Sequence, residues 1–98
     1  MRRLAALALL TVAALTAGCG STAKGPAGQF ASLGCGSCHT LKAAGSHGSV
    51  GPNLDDLKPD EARVEHQIAN GGAVMPPKLL TGQDAKDVAA YVAAVAGK

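Results

Sequence analysis

The chain has 98 residues, enough for one small domain. Nearly half are apolar, yet there is one Phe, one Tyr and no Trp, so alanines and an N-terminal run supply much of that share. Without Arg2 and Arg3 the nine Lys and Arg fall to seven, equal to the seven Asp and Glu, which leaves no basic surface for nucleic acid.

Met1-Arg2-Arg3 is a short basic start, and Leu4 to Leu15 is apolar apart from Thr11. That pattern predicts a removable export signal over residues 1–18, too short for a comfortable bilayer span. The run Leu15-Thr16-Ala17-Gly18-Cys19 resembles the lipobox of bacterial lipoproteins, which implies a lipidated Cys19 as the first residue of the mature chain. A plain secretory peptide would leave Cys19 as a stray thiol in an oxidising compartment. Residues 19–28 then form a Gly-, Ser- and Pro-containing tether, with the folded domain assigned to 29–98. Roughly eight flexible residues give an r.m.s. reach of about 16 Å and an extended limit near 28 Å, so the domain stays close to the membrane.

Pro26 suits the first position of a short helix running to Gly34, with Phe30 and Leu33 on one face. Cys35-Gly36-Ser37-Cys38-His39 follows, the spacing of a c-type haem attachment site. Two thiols three positions apart share one face of a helical turn, from which both can form thioethers to the vinyl groups on one haem edge. His39 comes next and supplies an imidazole to the iron from the anchored side. A thioredoxin-like motif needs a βαβ context, which is missing, and a zinc site needs a second ligand pair, which His47 and His66 do not form. A simple disulfide leaves His39 without a purpose. Attachment of such a haem takes place outside the bacterial cytoplasmic membrane, in agreement with the export signal.

Leu41 to Leu57 is rich in Gly, Ser, Pro and Asn without amphipathic period, and reads as a loop along the haem edge. His47, in that loop, is expected to be exposed or near a propionate. A second helix opens at Pro59, with Asp60 and Glu61 in its first turn, and stops at Gly71-Gly72. His66 on that helix is expected to face solvent. Met1 departs with the signal, so Met75 in Val74-Met75-Pro76-Pro77 is the remaining thioether, and the two prolines stiffen its loop. A thioether opposite an imidazole raises the potential of the iron. The last helix is expected from an N-cap at Thr81, with Asp84 completing a variant capping box. Val88, Tyr91, Val92 and Val95 form its apolar stripe. No segment alternates with period two, so the expected class is all-α, three to four short helices and long loops around one covalent haem c. A chain so poor in large apolar side chains is expected to use the haem as its core.

From Phe30 to Ala96 the chain resembles the class I cytochromes c of the small bacterial monohaem kind, such as cytochromes c551, c552 and c6. The resemblance rests on Cys35-Gly36-Ser37-Cys38-His39, Gly51-Pro52-Asn53-Leu54, Met75-Pro76 and Asp87 to Val92. It implies attachment through Cys35 and Cys38, iron ligation by His39 and Met75, and a hydrogen bond from the imidazole to the carbonyl of Pro52. It also implies that Tyr91 crosses the first helix beside Phe30. The chain departs from the pattern in carrying Pro26 where the helix-crossing glycine usually stands, and in lacking haem-side aromatics, which predicts a more exposed haem edge.

The expected function is that of a monomeric single-electron carrier, not an enzyme, anchored on the outer face of the cytoplasmic membrane. Its expected donor is a quinol oxidase or membrane dehydrogenase, and its acceptor a terminal oxidase or soluble carrier. The alternatives are a haem module that binds small gases and an accessory haem subunit of a membrane dehydrogenase or reductase.

Overall fold

The computed structural model describes residues 25–98. The expected signal over 1–18, lipidated Cys19 and most of the tether lie outside the described residues. The elements in order are α1 (Pro26–Ser32), α2 (Cys35–Cys38), β1 (Thr40–Leu41), a 3₁₀ turn (Lys42–Ala44), β2 (Ser46–His47), α3 (Leu54–Leu57), α4 (Glu61–Asn70) and α5 (Gly82–Val95). The mostly helical architecture agrees with the expected class. One feature is added: β1 and β2 pair antiparallel, with Thr40 opposite His47 and Leu41 opposite Ser46. Among the described residues no helix is long and apolar enough to cross a membrane.

Helix α1 begins at Pro26, inside the stretch assigned by composition to the tether, and Gly28 is already buried. The physical reason is packing: α1 lies across α5, and the Phe30 and Tyr91 rings meet edge to face with centroids 6.2 Å apart and planes at 65°. Helix α4 is capped by Asp60, whose Oδ1 accepts from the Arg63 N–H at 2.8 Å. Asp60 therefore precedes the first turn, with Glu61 alone of the pair inside it. Thr81 stands at the N-cap of α5, but its hydroxyl makes no capping bond, so the expected capping box is not formed.

The core gathers Phe30, Leu41, Leu54, Ile68, Val88 and Val92, with Ala85, Ala89 and Ala96 filling the closer approaches. Tyr91 and Val95 flank it, half-buried. Leu41 is fully buried although it lies in the stretch read as an irregular loop. That stretch is tied down by Asn53, whose side-chain oxygen caps α3 by accepting from Asp55 and Asp56 N–H groups. Asp55 then clasps two distant segments: its Oδ2 accepts from Lys42 N–H at 2.8 Å and its Oδ1 from Gly97 N–H at 2.9 Å.

The bonds from Gly97 and Lys42, with the positive charge of Lys42, hold the Asp55 carboxyl below its usual range. A carboxylate with a depressed folded pKa stabilises fully above the unfolded value of about 3.9 and loses that contribution as pH falls through the lower folded value. Asp55→Asn is expected to lower the melting temperature at neutral pH. The gap from wild type should narrow as the solution is taken down toward about pH 3. Melting curves of both proteins across that range check it, and a gap independent of pH would mean that the charge is irrelevant.

Candidate functional site

A cleft of about 470 Å³ opens between α2, the α3 region and the loop after α4. Cys35, Cys38 and His39 line one part of it and Met75 with Pro76 another. Leu54, Val64, Ile68, Val88 and Val92 supply apolar wall, and Arg63 is the one charged residue on the lining. Thus the sequence-predicted residues Cys35, Cys38, His39, Pro52 and Met75 all meet at one place. His47 and His66 do not: both are exposed and neither lines the cleft. His66 instead faces the Asn70 side chain on its own helix, 3.2 Å away.

The two cysteines are free thiols, half-buried. Burial pushes the Cys35 thiol up, and the neighbouring Cys38 adds to the shift, against a lowering backbone hydrogen bond.

His39 Nδ1 lies 2.7 Å from the carbonyl oxygen of Pro52. A carbonyl can only accept, so Nδ1 carries the proton and Nε2 keeps its lone pair for a metal. Gly51 lets the segment pass this close to the ring: a Cβ there would stand 2.5 Å from His39 Cε1 and 2.9 Å from Nδ1. Behind the ring the chain is knitted by Gly51 N–H to Cys38 carbonyl at 2.7 Å and by Thr40 Oγ1–H to Gly48 carbonyl at 2.9 Å.

Met75 is presented by a tight turn in which Gly72 and Met75 exchange both backbone hydrogen bonds, at 3.0 and 2.9 Å. Ala73 sits inside it with φ of +50°, a left-handed conformation that costs a non-glycine residue on the order of 1 kcal/mol. The Lys78 N–H returns to the Ile68 carbonyl at 2.9 Å and fastens the loop to the end of α4.

These features fit a haem. The volume falls in the range of small-molecule and cofactor sites, about 300–1,000 Å³, and the wall is apolar. Paired thiols stand at its rim, and the donor set joins a lone-pair nitrogen to a soft thioether. A zinc centre does not fit, since no three His, Cys, Asp or Glu side chains cluster among the described residues.

Two structural roles near the site go beyond the sequence motifs: the N-cap made by Asn53 and the left-handed backbone of Ala73. Asn53 is legible in hindsight as an N-cap before Leu54-Asp55-Asp56. The left-handed Ala73 has no sequence signal, because the residue type argues against it.

The family model described as cytochrome c oxidase, cbb3-type, subunit III matches residues 21–92. No curated protein matches the chain. Among solved structures, the c-type cytochrome SorU from Sinorhizobium meliloti is similar at 51% identity and a TM-score of 0.62. That match covers 65% of this chain and 75% of SorU. With the Cys35 and Cys38 thiols at the mouth of an apolar cleft and a family match over most of its length, the chain belongs to the c-type cytochromes, in the family described as cbb3-type cytochrome c oxidase subunit III, and binds haem c covalently through those two cysteines.

Proposed function

We propose that the protein is a single-electron carrier whose iron is ligated by His39 Nε2 and Met75 Sδ. The observation that carries this reading is the meeting of Cys35, Cys38, His39 and Met75 in one apolar cleft. Haem c supplies a reversible one-electron couple when bound. The Pro52 carbonyl fixes the imidazole tautomer, the stiff Met75 loop offers the thioether, and the surrounding aliphatic side chains keep water from the metal. Two protein ligands leave no coordination position for a substrate, so the domain carries electrons and is not an enzyme. Spectroelectrochemical titration should give one transition with n of about 1. The reduced wild type should resist carbon monoxide; rapid uptake would favour the gas-binding reading.

In this reading the chain is exported and anchored through acylated Cys19 on the outer face of the cytoplasmic membrane. Its donor is a quinol oxidase or a dehydrogenase in that membrane, and its acceptor a terminal oxidase or a soluble carrier. The multiple acyl chains of a lipoprotein hold firmly where one holds marginally. Cys19→Ser should move the haemoprotein out of the membrane fraction or block its maturation with the haem motif intact. A wild type found wholly soluble outside the cytoplasm would sink the anchor and leave the carrier untouched. The family description, which names an oxidase subunit, favours as second reading a permanent haem subunit of a membrane complex. Copurification of a stoichiometric membrane partner distinguishes that from a free carrier.

A further inference from the structure

The geometry points to Ser46 as a positioning residue for the axial imidazole. The inference rests on the reading of His39 as an iron ligand. Ser46 Oγ–H donates to the carbonyl of His39 itself at 2.9 Å, and the same oxygen accepts from the Leu41 N–H at 2.9 Å. Among the described residues it is the one side chain bonded to the backbone of His39. The hydroxyl is half-buried, and Leu41 beside it is fully buried, so water is a poor substitute for either bond.

Ser46 also braces the attachment motif from the other side. A Cβ at Gly36 would stand 2.6 Å from Ser46 Cβ and 3.3 Å from its Oγ. Gly36, between the two cysteines, is therefore the opening through which Ser46 reaches α2. The Gly48 N–H, two residues beyond, donates to the Gly36 carbonyl at 3.2 Å and keeps β2 against that helix. One small side chain thus contacts the stretch between the two attachment cysteines and the main chain of the ligand.

The consequence is electronic as well as structural. The Nδ1–H bond to Pro52 enriches the imidazole and favours ferric iron, and its strength depends on where the His39 backbone is held. Without the Ser46 hydroxyl the His39 main chain gains freedom, the bond to Pro52 weakens, and the reduced state gains.

The test compares wild type, Ser46→Ala, Ser46→Thr and Asp55→Asn as haem-loaded proteins. Asp55→Asn loosens the same loop region without touching His39, so it separates tuning from general destabilisation. We expect Ser46→Ala to keep the long-wavelength Met–ferric iron band and to shift the reduction equilibrium toward ferrous iron by roughly three- to tenfold, where tenfold is about 59 mV for one electron. Amide exchange at Leu41 should accelerate at least tenfold in the same variant. Ser46→Thr, which keeps the hydroxyl, should restore both, and Asp55→Asn should shift the potential by clearly less than Ser46→Ala does, through the loss of its negative charge alone. The proposal is overturned if Ser46→Ala has the wild-type potential, if Asp55→Asn shifts it equally, or if Ser46→Ala cannot take up haem, which would make the role one of folding. Failure of the ligation reading shows itself separately, as wild-type His39 ring protons without the paramagnetic shift of a ferric ligand.

Discussion

Met75→Ala is expected to abolish the weak long-wavelength absorption of the ferric protein, lower the midpoint potential and open the reduced iron to carbon monoxide. Gly72 and Met75 lock a tight turn through two mutual backbone bonds, Ala73 is held left-handed within it, and Pro76-Pro77 stiffen its exit. A loop built this way brings the thioether to the cleft already ordered. The thioether stabilises ferrous iron over ferric, and alanine removes that preference along with the sulfur. Axial-ligand identity spans about 0.8 V among haem proteins, so the fall should be a sizeable part of that range, far beyond the shift expected from any substitution behind the imidazole. Visible spectra of the oxidised protein, a redox titration and carbon monoxide mixing check the three effects. Survival of the band in the variant, or its absence from wild type, removes Met75 from the coordination sphere.

The same loop shows why parts of the site were legible in the sequence and others were not. The haem motif and the Met-Pro-Pro run are local signals, carried by residue types whose chemistry or backbone limits leave little choice. Helices α4 and α5 were legible because their apolar positions recur with the helical period and their ends carry stop signals. The region between Leu41 and Leu57 has the composition of an irregular loop, and its order has no periodic signal. Leu41 is buried by what packs over it; β1 and β2 are two residues each; and their registration depends on the Ser46 and Thr40 hydroxyls and on the Asp55 clasp to Gly97. Such long-range polar ties leave no pattern in a window of sequence. The start of α1 at Pro26 is marked by the proline itself, whereas the burial of Gly28 is not: a Gly- and Ala-rich stretch has the composition of a linker whether or not a partner helix waits for it.

A division of labour between the two halves of the cleft follows from these ties. The half with the cysteines and His39 is cross-linked by several side-chain and backbone bonds within residues 36–53, and by Asp55 to the chain's last turn. The Met75 half is fastened chiefly by backbone bonds to the end of α4 and by its own turn, with Gln67 Nε2–H donating to the Gly71 carbonyl at 2.9 Å as the side-chain link. A site with fewer side-chain ties opens at lower free energy. In the proposed ligation by His39 and Met75, release of the thioether should therefore precede any loosening of the imidazole.

Replacing both Cys35 and Cys38 with Ala is expected to abolish covalent haem and leave a chain that proteases cut readily and that melts without a cooperative transition. Among the described residues nine hydrophobic side chains make up the buried core, and three of them, Ala85, Ala89 and Ala96, are alanines that each remove little surface from water. The largest, Phe30, meets Tyr91 of α5 edge to face and supplies one part of the cleft wall, so a single large ring serves both the helix packing and the haem site. The side chains that would have to close the cleft in the absence of haem are Leu33, Val50, Leu57 and Val74, all of them exposed. They stand on separate loops and short helices with no backbone ladder to draw them together, so collapse would leave amide and carbonyl groups of those loops without partners. A domain of this size rarely reaches stability from its own core, and here the cofactor completes it. Circular dichroism, limited proteolysis and the dispersion of amide resonances in the double variant measure the outcome. A cooperative melt with well-dispersed resonances would mean that the α1, α4 and α5 packing suffices, and that the haem is a passenger on a fold the polypeptide completes alone.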